Sequence, residues 1–232
     1  LSLLFVPPAE GGGMEISMHD FDYVPAEEWK PVRDELLQII LRLQNEVSDS
    51  FSFQYHFVGS SKRKMITRDR KSNIGFDFDV NIEINDPYED YSAAEIRKII
   101  HRGLDRVTHS WEFSGSGYNY AEESTRVLTI KVKDSFNSRI LHSCDFCIIN
   151  ECGNGLQQYI RYNKKQNSYS WEYQPKGYSK LPSKIEWIKK HQLWQQVRDI
   201  YIDKKNNNTD NNKKSRSFFA ETIHQVCQQN GY

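Results

Sequence analysis

The segment Gly75–Ile84, GFDFDVNIEI, alternates without interruption. In an extended chain successive side chains point to opposite sides, so Phe76, Phe78, Val80, Ile82 and Ile84 share one face. Asp77, Asp79, Asn81 and Glu83 share the other. Five large apolar residues at period two need a covering layer. The polar face then presents two carboxylates about 7 Å apart, twice the ~3.3 Å rise of a strand.

The flanking sequence supplies the covering layer. From Pro25 to Val47 apolar residues recur at helical spacing (Val32, Leu36, Ile39, Ile40, Leu43, Val47), with Glu27 and Glu28 in the first turn where the helix dipole favours them. Phe51–Val58 alternates as a strand. Ser92 opens a second helix, SAAEIRKIIHRGLDRV, with Glu95 three residues on as a capping box. Arg126–Lys133 and Ile140–Asn150 read as strands, and residues 157–174 as a hairpin turning at Lys164–Ser168. From Pro182 the pattern is helical, broken by the Asn-rich link NNNTDNN. The order predicts an α+β protein, a mixed sheet with helices packed on one side. Residues 14–181 form the core and 182–232 a small C-terminal helical part. Residues 1–13 read as a fused peptide and glycine linker, or a leader, ahead of Met14.

With 232 residues, 38% of them apolar and 13% aromatic, the chain can build a real core. Lys and Arg balance Asp and Glu at 31 each, so any basic surface is local. No apolar run reaches the ~20 residues of a membrane span, which predicts no membrane partner. Four cysteines (Cys144, Cys147, Cys152, Cys227) fit a reduced cytoplasmic protein. Cys144 and Cys147 fall on opposite faces of a strand and lack a second pair, so they read as packing residues rather than zinc ligands.

The chemistry lies in three places. Asp145, in HSCDFCIIN, is the one charge inside an apolar strand, and a buried charge is costly unless it is paired or meets a cation. Gly59-Ser60 ends a strand and opens a turn, where glycine lets the backbone approach a phosphate and N–H groups with a hydroxyl form an anion cradle. Between cradle and acids lie Lys62, Arg63, Lys64, Arg68, Arg70 and Lys71, suited to drawing in a polyanion. Each feature alone also fits a solvated loop beside a half-exposed strand. Their order and spacing make the combination specific. Paired carboxylates at this pitch suit two metal ions about 3.5–4 Å apart.

The arrangement strand, Gly-Ser, loop, Asp-x-Asp strand and later Asp resembles the DNA polymerase β-like nucleotidyltransferase superfamily. The wording of GFDFDVNIEI is most similar to its oligoadenylate synthetase and cyclic GMP-AMP synthase-like branch and bacterial relatives. That resemblance, over about Pro25–Asn150, implies a nucleotidyltransferase-type mixed sheet and transfer of a nucleoside monophosphate from an NTP, ATP or GTP, to a hydroxyl acceptor. It implies that Gly59 and Ser60, with Lys62 beside them, bind the triphosphate. Asp77, Asp79 and Asp145 would ligate two Mg²⁺ ions (Mn²⁺ as a substitute), and Asp145 would also serve as base. The acceptor, an RNA or nucleotide among the candidates, is left open. So is a catalytically silent nucleotide- or RNA-binding module of the same fold. Lys204, Lys205, Lys213, Lys214 and Arg216 are candidates to close over phosphates. Tyr118, Tyr120, Trp171, Tyr173 and Tyr178 are candidates to stack on a base, with packing the competing use of each. His56 and His142 read as packed strand residues.

Overall fold

A computed structural model describes residues 19–134, 136–175, 180–210 and 212–232. Residues 1–13 and Tyr178, for which the sequence suggests roles, lie outside the described residues. The alternating segment is strand β4 (Ile74–Asn85), with Phe76, Phe78, Val80, Ile82 and Ile84 all buried. It runs antiparallel to β2 (Ser52–Val58) on one side and parallel to β7 (Arg139–Glu151) on the other. The sheet continues through β6 (Val127–Asp134) to the short β5 (Glu122–Glu123). The far end of β7 pairs with β8 (Gln157–Asn163), which forms the expected hairpin with β9 (Ser168–Tyr173). One parallel pair in an otherwise antiparallel sheet is the mixed topology that the element order predicts.

Two helices cover the apolar face. In α1 (Ala26–Val47) the buried side chains are Leu36, Ile39, Ile40, Leu43 and Val47. In α3 (Ala93–Thr108) Ile96, Ile100, Leu104 and Val107 point inward. The capping box is present: the Glu95 amide donates to Ser92 Oγ at 3.3 Å, and Glu95 Oε2 accepts from the Ser92 amide at 2.8 Å. Arg97 is 1% exposed, yet its guanidinium donates to the carbonyls of Ser124, Arg126 and Val127 and pairs with Glu123 at 2.9 Å. A buried cation is tolerable only with such complete satisfaction.

Three features carry too little periodicity to be read from sequence. Gly59–Lys62 is a single short helical turn, α2. The basic segment is not an open loop, because Thr67–Asp69 (β3) pairs with Phe21–Tyr23 (β1) in a separate two-stranded ribbon. The first C-terminal helical run divides into α4 (Leu181–Lys190) and α5 (Trp194–Asn206), separated by Gln192 at φ 59°. With α6 (Ser215–Gln229), these helices enclose a second core of Ile188, Val197, Tyr201, Phe218, Phe219, Ile223 and Val226, into which Met65 inserts. Among the described residues no helix is long and apolar enough to cross a membrane.

Near the start of β4 the strands pack too closely for any side chain on Gly75: a Cβ there would lie 1.9 Å from the Leu141 carbonyl oxygen. Replacing Gly75 by Ala is therefore expected to destabilise the protein by about 2 kcal/mol or more in urea unfolding. Gly115→Ala, whose Cβ would meet nothing within 4 Å, should change stability by less than about 0.5 kcal/mol.

Candidate active site

The parallel register of β4 and β7 sets Asp79 directly opposite Asp145, and Asp77 opposite Ser143. Adjacent strands lie about 4.8 Å apart, so the three predicted acids occupy neighbouring positions on one face of the sheet. Asp79 and Asp145 are half-buried, while Asp77 keeps open surface. On the other side of β7, β6 places Thr129 opposite Asp145, and Thr129 Oγ1 donates to Asp145 Oδ1 at 2.6 Å.

The Gly-Ser turn meets the same acids. Because Val58 pairs with Asp79, the chain leaves β2 beside that carboxylate. Gly59 has φ +63°, and a Cβ on it would fall 2.1 Å from Asp79 Oδ2, so glycine is required here on two counts. The following turn is held by the buried Ser61, whose hydroxyl donates to the Val58 carbonyl at 2.9 Å, and by the Met65 amide donating to the Ser60 carbonyl at 2.9 Å. Lys62 stands exposed on this turn.

Like charges gathered in a low-dielectric site disfavour ionisation. All three carboxyls are pushed above their usual range, chiefly by burial. Asp79 is raised to about 7, with Asp77 and Asp145 adding to the effect and Arg63 opposing it. Lys205 opposes the shift at Asp77; the Thr129 hydrogen bond and Lys131 oppose it at Asp145. The oxygen-only donor set suits a hard divalent cation, although no three His, Cys, Asp or Glu side chains among the described residues close into a ready-made cage.

Of the five C-terminal cations, Lys205 is the one built into the site. It is 8% exposed, donates to Thr67 Oγ1 at 2.7 Å and sits 3.8 Å from the centre of the Phe21 ring. Burial lowers its pKa to about 8, against the pull of Asp77 and Asp69. Lys213 instead pairs with Glu221 at 2.8 Å, and Lys214 and Arg216 are exposed. The basic segment also divides. Arg68 and Arg70 pair with Asp22, and Arg68 also with Glu28. Arg63 turns inward over the Phe219 ring at 4.1 Å, with its Nε buried and without a partner. Nothing in the sequence distinguishes Arg63 from its basic neighbours, and Thr129 becomes visible only once β6 and β7 are in register.

Three of the five aromatic candidates make packing contacts. Tyr118 is buried and donates to Glu35 Oε2 at 3.1 Å, Trp171 packs against the main core, and Tyr120 stacks on His109 with centroids 4.0 Å apart. Tyr173 is 60% exposed. His56 contacts Glu83 at 3.1 Å, and His142 is buried beside Phe76 and Tyr118. All four cysteines are free thiols, with Cys144 and Cys227 buried.

No protein-family profile and no curated protein matches the sequence. Solved structures do match. The 3′-deoxy GTP bound form of Vibrio cholerae DncV superposes with a TM-score of 0.62 at 10% identity, over 88% of this chain and 67% of that one. DncV described as a cyclic AMP-GMP synthase, a prokaryotic cGAS homolog, gives 0.60 at 10% identity over 88% and 68%. The fold is that of the cGAS-like nucleotidyltransferases. A further neighbour is the Bradyrhizobium diazoefficiens CD-NTase CdnG in complex with GTP, at a TM-score of 0.43 and 13% identity over 65% of this chain and 40% of that one. The chain spans 40% of the CdnG structure, 67% and 68% of these two DncV structures, and about half of DncV bound to 3′-deoxy ATP or to GTP.

The raised pKa of Asp79 sets the sign of a pH effect. A carboxyl that holds its proton more tightly when folded contributes stability below its unfolded pKa, and this is lost as pH rises through the folded value. In chelator-treated protein, stability should fall as pH rises from about 4 through about 7. Thermal melts of Asp79→Asn over the same range should show a flatter profile.

Proposed function

We propose that this chain is a nucleotidyltransferase, moving a nucleoside monophosphate from an NTP to a hydroxyl acceptor with release of pyrophosphate. The observation that carries the reading is the register that brings Asp79 and Asp145 side by side, with Asp77 on the same face and the Gly59 turn packed against Asp79. Asp77 and Asp145 both raise the pKa of Asp79, a strain that a divalent cation would relieve, and Asp77, Asp79 and Asp145 are the residues that would hold two Mg²⁺ or Mn²⁺ ions. Bound there, the ions would neutralise phosphate charge and activate the acceptor oxygen.

The chain's own groups account for the rest. The α2 turn, led by Gly59 and Ser60, offers backbone N–H groups to a triphosphate, with Lys62 at its rim. Lys205 approaches from α5 on the side of Asp77 and brings the positive charge suited to a phosphate. A buried Asp145 is a stronger proton acceptor than a solvated carboxylate, which fits it to take the proton of an attacking hydroxyl. The fold neighbours include DncV bound to GTP, to 3′-deoxy ATP and to the linear intermediate 5′ pppA(3′,5′)pG. We therefore favour ATP or GTP as donor and a nucleotide hydroxyl as acceptor.

The test is incubation with each NTP and Mg²⁺ or Mn²⁺, following pyrophosphate and identifying products by mass spectrometry. Asp77→Asn and Asp79→Asn should each lower turnover at least about a hundredfold, the scale of losing one preorganised charge-stabilising group. Lys205→Ala should act mainly on KM for the NTP, raising it about tenfold through loss of a charge-assisted contact. Nucleotide binding with no product under any condition would make the chain a silent binding module instead.

A further inference from the structure

The three acids are not supported alike. Lys205 and Arg63 act through space on Asp77 and Asp79, and a backbone N–H also reaches Asp77, whereas Asp145 has a side-chain hydroxyl hydrogen-bonded to one of its oxygens. That hydroxyl belongs to Thr129, directly opposite Asp145 on β6. We propose that Thr129 is a positioning residue for the transfer reaction, pinning Asp145 through Oδ1 so that Oδ2 faces the reacting groups. The inference rests on the transferase reading of this site.

A carboxylate's terminal torsion is broad and nearly two-fold, so an unpinned Asp145 would present either oxygen over a wide arc. The 2.6 Å bond from Thr129 Oγ1 removes that freedom. Thr129 is itself well placed to hold a geometry. As a β-branched residue it is stiff at χ1, and its strand is paired on both sides, with β5 and β7. Two residues along the same face, Lys131 is ion-paired to Glu122 at 2.6 Å and acts electrostatically on Asp145. The opposite strand offers no counterpart: the residue paired with Asp79 on β2 is Val58, which has no side-chain donor. Among the described residues a side-chain hydroxyl thus pins one acid of the three, and it is the acid assigned to the acceptor hydroxyl.

Thr129→Val keeps the shape and strand preference of the side chain and removes the hydroxyl, while Thr129→Ser keeps the hydroxyl. Partners one step removed from a metal or reacting group commonly change affinity or activity by about 10- to 100-fold when lost. Thr129→Val should lower kcat about tenfold or more with KM for the NTP within about twofold, and Thr129→Ser should restore kcat to within about threefold of the unaltered protein. Independently of turnover, Mn²⁺ titration followed by electron paramagnetic resonance should show weaker binding in Thr129→Val and near-normal binding in Thr129→Ser. Unchanged kcat and Mn²⁺ affinity in Thr129→Val would overturn the proposal. So would a Thr129→Ser variant as impaired as Thr129→Val, which would assign the effect to packing. Should Thr129→Val melt early, Thr129→Ala supplies a second hydroxyl-free side chain for the same comparison. A protein that turns over no NTP but shows the expected Mn²⁺ series would remove the transferase reading and leave Thr129 as the orienting partner of Asp145.

Discussion

The parallel pairing of β4 with β7 brings Asp79 against Asp145, both buried enough to raise their pKa values, and leaves Asp77 on the same face with open surface. Three carboxyls will not gather there of their own accord. They are held by what lies behind them, because the alternate residues of both strands are buried among α1 and α3. Phe78, Val80, Cys144 and Phe146 are each 0% exposed, so neither strand can rotate its acids away without exposing its apolar side. Hydrophobic burial on one face of the sheet thus sustains electrostatic cost on the other, an arrangement typical of functional sites.

The counter-charges come from separate parts of the chain. Arg63 follows the Gly-Ser turn and rests on Phe219 of α6; Lys205 descends from α5; Lys131 lies on β6. This gives the C-terminal helices a role in the site as well as a core of their own. They dock where Met65 enters the second core and where Tyr23, stacked under Arg198 at 3.8 Å, donates to the Arg198 carbonyl at 2.8 Å. The β1–β3 ribbon is the connecting piece. It supplies Thr67 and Phe21, two of the contacts that hold Lys205 in place.

The basic segment illustrates how one composition serves several ends. Lys62 stays on the surface beside the turn. Arg63 goes inward toward Asp79, and Arg68 and Arg70 are tied to acids of β1 and α1. Their charges are equivalent in sequence, and only the path of the backbone separates them. Lys131 and Thr129 lie on a strand whose alternation reads as ordinary, yet both converge on Asp145.

Local pattern was enough to define α1, α3 with its cap, the long strands, the hairpin, and the acidic face of β4. It also singled out Asp145 as an ill-fitting charge and Gly59-Ser60 as a turn. These features depend on side-chain periodicity and turn chemistry, which are properties of neighbouring residues. The sequence did not determine that β4 and β7 run parallel in a register that joins Asp79 to Asp145. Nor did it determine that Lys205, and none of its four candidate neighbours, faces Asp77, or that Thr129 meets Asp145. Those are contacts between residues 16 to 128 positions apart, chosen by how the sheet and the two cores pack together. No local preference encodes such a choice, so the tertiary structure alone decided it.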